Sequence, residues 1–394
     1  MNIIIKKIGF IVILILTILN FNSCWNRREL SELGIVGTAA IDEEDSRIKI
    51  TYELLKPYRM ETPGSEEPSI YFQSEGQTIF EANRNATLKF DKKLYWPQAK
   101  AYFFNENIAK KGLLKQLDYF NRNHESRRYV NLAIAKGVNA SEIIGIIGIQ
   151  GEIPSQYIEK LFDNSKNNGK SVSTKLIDFL KMYYAEGLEP VVAAVQIVKR
   201  NSNNFKVKKN EGEDLMTSAE GCAVFKGDQF VGFLDGIETR GYNFIIGDIK
   251  SAILVSPSPD GKGENSVEVI KAGSKIEIQK KDNAYSATVK IEIHGVLGEE
   301  TGEKKVDSIE EIKKVENNTS DMVKAEILQA LNKVQEYGSD IFGFGQELHI
   351  KFPEEWKQMK NNWNELFSKL KIEVEVKTTI DEAGVSNEQL PAKE

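Results

Sequence analysis

An apolar run from Ile8 to Leu19, led by Lys6 and Lys7 and closed by Phe21-Asn22-Ser23-Cys24, sets the tightest limit on this chain. About a dozen residues cannot cross a hydrocarbon core of about 30 Å, which takes roughly 20. The run reads as the hydrophobic part of a secretory signal, residues 1–23. A small residue directly before a cysteine is the cutting pattern of a bacterial lipoprotein signal. Cleavage between Ser23 and Cys24 leaves Cys24 first, its thiol carrying diacylglycerol. Phe21 and Asn22 stand where such signals usually have Leu and a small residue. The competing reading is an uncleaved signal anchor with an incidental cysteine.

One acyl chain binds a membrane marginally, and two hold it stably. A lipidated Cys24, palmitate or similar chains included, therefore predicts a protein anchored to a membrane rather than threaded through it. Trp25 suits the headgroup zone, and Arg27 and Arg28 suit anionic lipid. No later stretch approaches spanning length, so the rest must fold in water. At 41% hydrophobic and 28% charged, the 394 residues have a globular composition with room for two or three domains. Losing Lys6 and Lys7 with the signal takes the formal charge from −6 to about −8, which argues against nucleic acid as a partner. With Cys24 lipidated, Cys222 has no disulfide partner and is expected as a small buried apolar side chain.

The pattern beyond the signal mixes strands and helices without a regular βαβ beat, which predicts α+β domains. Ile48, Ile50, Tyr52 and Leu54 alternate as a strand, and 56–69 form a proline-bearing loop. Thr78 and Glu81 form a capping box for a helix to about Phe90. A strand over 99–104 and a helix over 106–121 follow. An apolar, glycine-interrupted stretch spans 140–151, and a polar loop covers 164–173. A helix carrying Leu176, Leu180 and Tyr183 stops near Gly187, ahead of a strand over 191–198. Residues 200–217 offer almost nothing to a core and are expected as a linker. It separates an N-terminal α+β domain, 24–199, from a C-terminal one, 218–382, with a polar tail at 383–394. In the second half, Gly221–Lys226 and Gln229–Leu234 read as a hairpin turning at Gly227-Asp228. Strands carry Ala287, Val289, Ile291 and Ile293, and Ile372, Val374 and Val376. Between them a long helix places Val323, Ile327, Leu331, Val334 and Ile341 on one side. Another opens at Pro353 with Trp356, Met359, Trp363, Leu366 and Leu370 in a stripe.

A search for chemistry finds no catalytic set, no metal ligands and no cofactor motif. His124, His294 and His349 lie in unrelated contexts, the latter two in strand-like segments, and none has a two-His zinc spacing. The glycine turns at 261–263 and 343–345 lack the frame of a dinucleotide fingerprint, and there is no nucleophile elbow. The Trp356/Trp363 stripe reads as core rather than as a ligand platform. The segment Glu238-Thr239-Arg240-Gly241-Tyr242 is either a partner surface or a structural turn with a local ion pair.

Four segments, in order along the chain, resemble the Ger(x)C family of spore germination lipoproteins, the C subunits of nutrient germinant receptors. They are Cys24-Trp25-Asn26-Arg27-Arg28-Glu29-Leu30 with Glu32-Leu33-Gly34; Glu75 to Ala82 with Leu94-Tyr95-Trp96; Ala223 to Lys226 through Gly232-Phe233-Leu234 to Glu238-Thr239-Arg240-Gly241; and Asp340 to Gly345 through Trp356. The resemblance implies a set of three α+β domains with mixed sheets and flanking helices. It further implies a lipid-anchored, non-catalytic subunit on the outer face of the inner spore membrane, assembled with two membrane-embedded receptor subunits. Only Cys24 carries over as a site. The alternatives are a nutrient-binding lipoprotein delivering a small molecule to a permease, and an anchored envelope hydrolase. The missing two-lobe rhythm and the missing nucleophile argue against them.

Overall fold

A computed structural model describes residues 3–10, 29–56, 68–146, 153–164, 167–199, 215–282 and 284–382. Cys24, the expected lipidation site, most of the proline-bearing loop, residues 200–214 of the expected linker and the polar tail lie outside them.

The first half builds a nine-stranded sheet. β1 (Leu33–Glu44), β2 (Arg47–Leu55) and β3 (Ser69–Gly76) form an antiparallel meander. β4 (Lys93–Tyr95) and β5 (Ala101–Asn105) both run parallel to β1, and β6 (Asn131–Ala135) and β7 (Val191–Lys199) extend that parallel centre. β5 and β6 are buried along their whole length, as parallel strands covered on both faces must be. β8 (Leu215–Lys226) and β9 (Gln229–Leu234) finish the sheet as an antiparallel hairpin on β7. Its turn is at Gly227-Asp228, as expected.

A second, four-stranded sheet follows: β10 (Ile253–Pro257), β11 (Glu264–Lys281), β12 (Ala284–Glu300) and β13 (Lys371–Glu382), in that order. β13 lies parallel to β12. Two mixed sheets with flanking helices bear out the α+β expectation.

Alternate residues of the central strands feed two cores. Tyr102, Phe104, Leu132 and Ile134 face the helices Ile79–Ala86, Leu114–Arg122 and Leu176–Tyr184. Ala101, Phe103, Ala133 and Ala135 belong to a core that continues into the helix Gly236–Ile246, the long helix Ile309–Tyr337 and the second sheet. Cys222 is fully buried there, and burial pushes its thiol up to about 12.

Several expectations are corrected. Leu215, Met216 and Thr217 are not linker: they are strand residues paired with Lys199, Val198 and Ile197 of β7. The β8–β9 hairpin, expected at the head of a separate domain, completes the first sheet. Polar composition concealed this pairing because the start of β8 is only half-buried. The helix expected over 106–121 is two, Glu106–Lys111 and Leu114–Arg122, broken at Gly112 with its φ of 111°. Leu114, unable to cap itself, donates its N–H to the Asp228 carboxylate. The helix capped by Thr78 ends at Ala86, and Glu81 accepts from Gln77 N–H rather than from Thr78. The long helix stops at Tyr337, ended by Gly338 in the left-handed conformation, so Ile341 lies beyond it. The Pro353 helix ends at Met359, and a 3-10 turn re-aims the chain into Trp363–Phe367. That turn takes Leu366 off the buried stripe and leaves it 40% exposed. The long helix lines β13: Ser320 Oγ accepts from Thr378 N–H, and Glu316 accepts from Ile380 N–H.

Candidate functional site

The first candidate is a groove of about 980 Å³ over the N-terminal sheet, between the helices Ile79–Ala86 and Leu114–Arg122. The capped start of the first helix presents Phe80, and the second helix presents Tyr119, with ring centroids 5.9 Å apart. The Arg84 guanidinium sits 5.8 Å from the centre of the Phe80 ring. Burial raises the Tyr119 phenol above its ordinary value, so it stays protonated at neutral pH. The charged walls largely satisfy one another: Lys93 pairs with Glu125, Lys111 with Glu43 at 2.7 Å, and Arg122 with Asp118 at 2.8 Å. This geometry can hold a small amphipathic molecule by stacking. It offers no nucleophile beside a base, and among the described residues no group of His, Cys, Asp and Glu could hold a metal ion.

The second candidate is a joint between the two sheets. Asp340 follows the long helix and is fully buried. Its Oδ1 accepts the N–H groups of Phe342, Gly343 and Phe344 at 3.0–3.2 Å, and Oδ2 accepts Gly345 N–H at 2.7 Å. Gly343 takes a positive φ of 84°, which turns these amides inward. Trp363 Nε1 closes the cage on Oδ2 at 2.9 Å. Burial pushes Asp340 up to about 6, against the opposing pull of those donors. The Asp340 carbonyl accepts Glu189 N–H just ahead of β7, and Glu189 in turn accepts Gly227 N–H at the β8–β9 turn. A cage of this kind fixes position; its donors are all satisfied, so it has none left for a substrate.

The residues singled out from sequence fall as follows. Cys24 lies outside the described residues. Trp356 and Trp363 are 2% and 5% exposed and pack edge-to-face at 5.5 Å, so the core reading of the stripe holds at both tryptophans. Residues 238–242 are neither a partner surface nor a turn. They form a buried stretch of the helix Gly236–Ile246, and the Arg240 ion pair is long-range, to Glu326. His294 sits on β12 beside Asp381. His349 lies on the helix Phe344–Lys351 and not on a strand, its ring stacked on Trp356 at 5.7 Å. The three histidines therefore keep separate neighbours. The Asp340 cage went unread as a site. Its signal, an aspartate with glycines three and five residues on, needs the helix start behind it to be interpretable.

Comparison with known proteins places this architecture. A model described as "Spore germination protein N-terminal domain" matches residues 26–197, and one described as "Spore germination B3/ GerAC like, C-terminal" matches 220–384. The chain belongs to the Ger(x)C family. Among curated Ger(x)C relatives, spore germination protein KC of Bacillus subtilis (strain 168) is 24% identical over 97% of both chains. Spore germination protein B3 of the same organism is 25% identical over 90% of this chain and 92% of its own. The crystal structure of the GerBC protein shares the fold with a TM-score of 0.54 at 18% identity, covering 87% of this chain and 96% of that one. The two Ger(x)C family models meet on either side of residues 198–219, yet the β7–β8 pairing carries one sheet across that seam. Ger(x)C marker segments fall at joints of the fold: the capped helix over the groove, the β8–β9 hairpin, the buried Arg240 helix and the Asp340 cage.

Proposed function

We propose that this protein is the lipid-anchored, non-catalytic subunit of a spore germinant receptor, needed for nutrient-triggered germination. Diacylglycerol on Cys24 holds it to the outer face of the inner spore membrane, and two membrane-embedded receptor subunits are its partners. The observation that carries this reading is the end-to-end match to spore germination protein KC, over 97% of both chains, in a chain whose matched family region opens at residue 26, directly behind Cys24. Two further facts support it: no helix among the described residues is long and apolar enough to cross a membrane, and the groove and the joint both lack a reacting pair. A tether confines the subunit to two dimensions, where effective concentration substitutes for strong intrinsic affinity.

The test is mass spectrometry of the mature N-terminus together with co-purification from spore membranes. The expected result is an acylated Cys24 at the first position and recovery with two membrane-embedded subunits. In Cys24→Ala, modification and cleavage are lost. An unmodified Cys24, or a cut elsewhere, sinks the anchor. A second reading, a nutrient-binding lipoprotein that delivers its ligand to a permease, draws on the Phe80–Tyr119 groove. Isothermal titration with amino acids and sugars separates the two, since saturable heat would favour delivery.

A further inference from the structure

We propose that the end of the large sheet where β1 begins lies directly on the bilayer, seated on anionic headgroups. The inference rests on the lipid anchor at Cys24 and adds an orientation to it. Glu29 is the first described residue after Cys24. A chain extends at most about 3.6 Å per residue, so the tether places Glu29 within about 18 Å of the lipidated sulfur's backbone. β1 starts a few residues later, which commits this end of the fold to the membrane vicinity whatever path the tether takes.

The strand register then decides what else is there. β4 runs parallel to β1 with Lys93 level with Leu33. β5 is parallel with Ala101 level with Thr38, and β6 with Asn131 level with Ala101. The loops that lead into these strands therefore converge on the tether end, and the Lys93–Glu125 ion pair ties the start of β4 to the loop before β6. Those loops carry apolar side chains turned to solvent: Leu88 is 82% exposed and Tyr129 74%. Leu30, beside the tether, is 59% exposed. Exposed apolar residues occur elsewhere on this protein; these lie toward the end where β1 begins.

Charge points the same way. Lys89, Arg127 and Arg128 are exposed between and beside those apolar residues, and Lys175 lies 5.7 Å from the centre of the Tyr129 ring. Among the described residues of these loops and of the segment before β1, Glu29, Glu32 and Asp91 are the opposing carboxylates, with Glu125 already paired. Among those described residues cations outnumber acids, in a chain whose formal charge is −6 overall. Lys and Arg are drawn to anionic leaflets, while a tyrosine fits the headgroup level. A lipid surface matches this combination of tether, basic loops and protruding Leu and Tyr.

The mature lipidated chain, reconstituted into phosphatidylglycerol/phosphatidylcholine vesicles, tests the orientation. Single cysteines at Leu88→Cys, Tyr129→Cys and, on the helix that follows the opposite end of β5, Lys110→Cys would carry a fluorophore. Cys222 is buried and Cys24 acylated, so neither competes for label. Headgroup-nitroxide lipids should quench the probes at 88 and 129 severalfold more than the probe at 110. The triple variant Lys89→Glu/Arg127→Glu/Arg128→Glu should lower that quenching with an unchanged melt. Equal quenching at all three positions on a chain that floats with the vesicles overturns the orientation and leaves the anchor standing. A chain that fails to float overturns both. Probes shielded only when receptor subunits are added would assign this end to a protein partner, and the proposal would fall.

Discussion

Arg240 and Glu326, 86 residues apart, meet as a bidentate pair between the helix Gly236–Ile246 and the long helix. Nε donates to Oε2 at 2.8 Å and Nη2 to Oε1, while Nη1 reaches the Ile253 carbonyl on β10 at 3.2 Å. Both side chains are more than nine-tenths buried. Gly241 makes the approach possible, since a Cβ there would lie 2.5 Å from the Glu326 carbonyl oxygen. Removing one member of such a pair leaves a buried charge alone, typically at a cost of about 3–5 kcal/mol. Arg240→Met or Glu326→Leu should each lose that much in urea unfolding, and the double variant should recover most of it. Additive losses would mean that the pair is not the source.

Trp363 serves two roles that separate by substitution. Trp363→Ala opens a cavity and should destabilise by about 3–5 kcal/mol. Trp363→Phe keeps most of the ring volume and removes only the N–H on Asp340, for about 1–3 kcal/mol. Unfolding curves that place the two variants together would assign the whole effect to the hydrogen bond.

Asp340 makes stability depend on pH with a definite sign. Folded, it holds its proton up to about 6, against an ordinary 3.8. Between these values the folded state binds more protons, so stability falls as pH rises through the window, by about 3 kcal/mol at most. The contribution is complete below 3.8 and gone above 6. Glu189 nearby, also raised by burial, acts in the same direction. Asp340→Asn cannot ionise and should flatten this part of the melting profile; a slope of unchanged size would clear Asp340 of it.

A protease site inserted between residues 204 and 205 tests the shared sheet. Cleavage there cuts the chain between the two family-model regions, but β7 and β8 remain paired over Val191–Lys199 and Leu215–Val224. The fragments should co-elute in gel filtration and part only in denaturant. Separation in buffer alone would restore two independent domains.

Much of the fold was legible because its signals are local. Alternation in Ile48–Leu54 and Ala287–Ile293, the Gly227-Asp228 hairpin and the helical spacing of Val323 to Val334 each need only a few neighbouring residues. Burial of Trp356 and Trp363 followed from the same periodicity. What escaped is non-local. The β7–β8 pairing joins strands separated in sequence by a polar stretch, and the parallel β12–β13 pairing returns only after several helices. Arg240 finds its partner 86 positions away. The Asp340 cage depends on Gly343 adopting a backbone conformation that spacing alone does not announce. The groove is a gap between two helices, which no residue encodes by itself.

The sheet that crosses the family seam has a mechanical meaning. With β8 hydrogen-bonded to β7, Glu189 N–H donating to the Asp340 carbonyl, and Asn243 Nδ2 donating to the Gly169 and Ser171 carbonyls, the described residues tie the two family-model regions together at three places. A force applied to the second sheet is felt at the first as a tilt rather than as bending at the seam. A body tied this way turns as a lever about whatever holds its first strand.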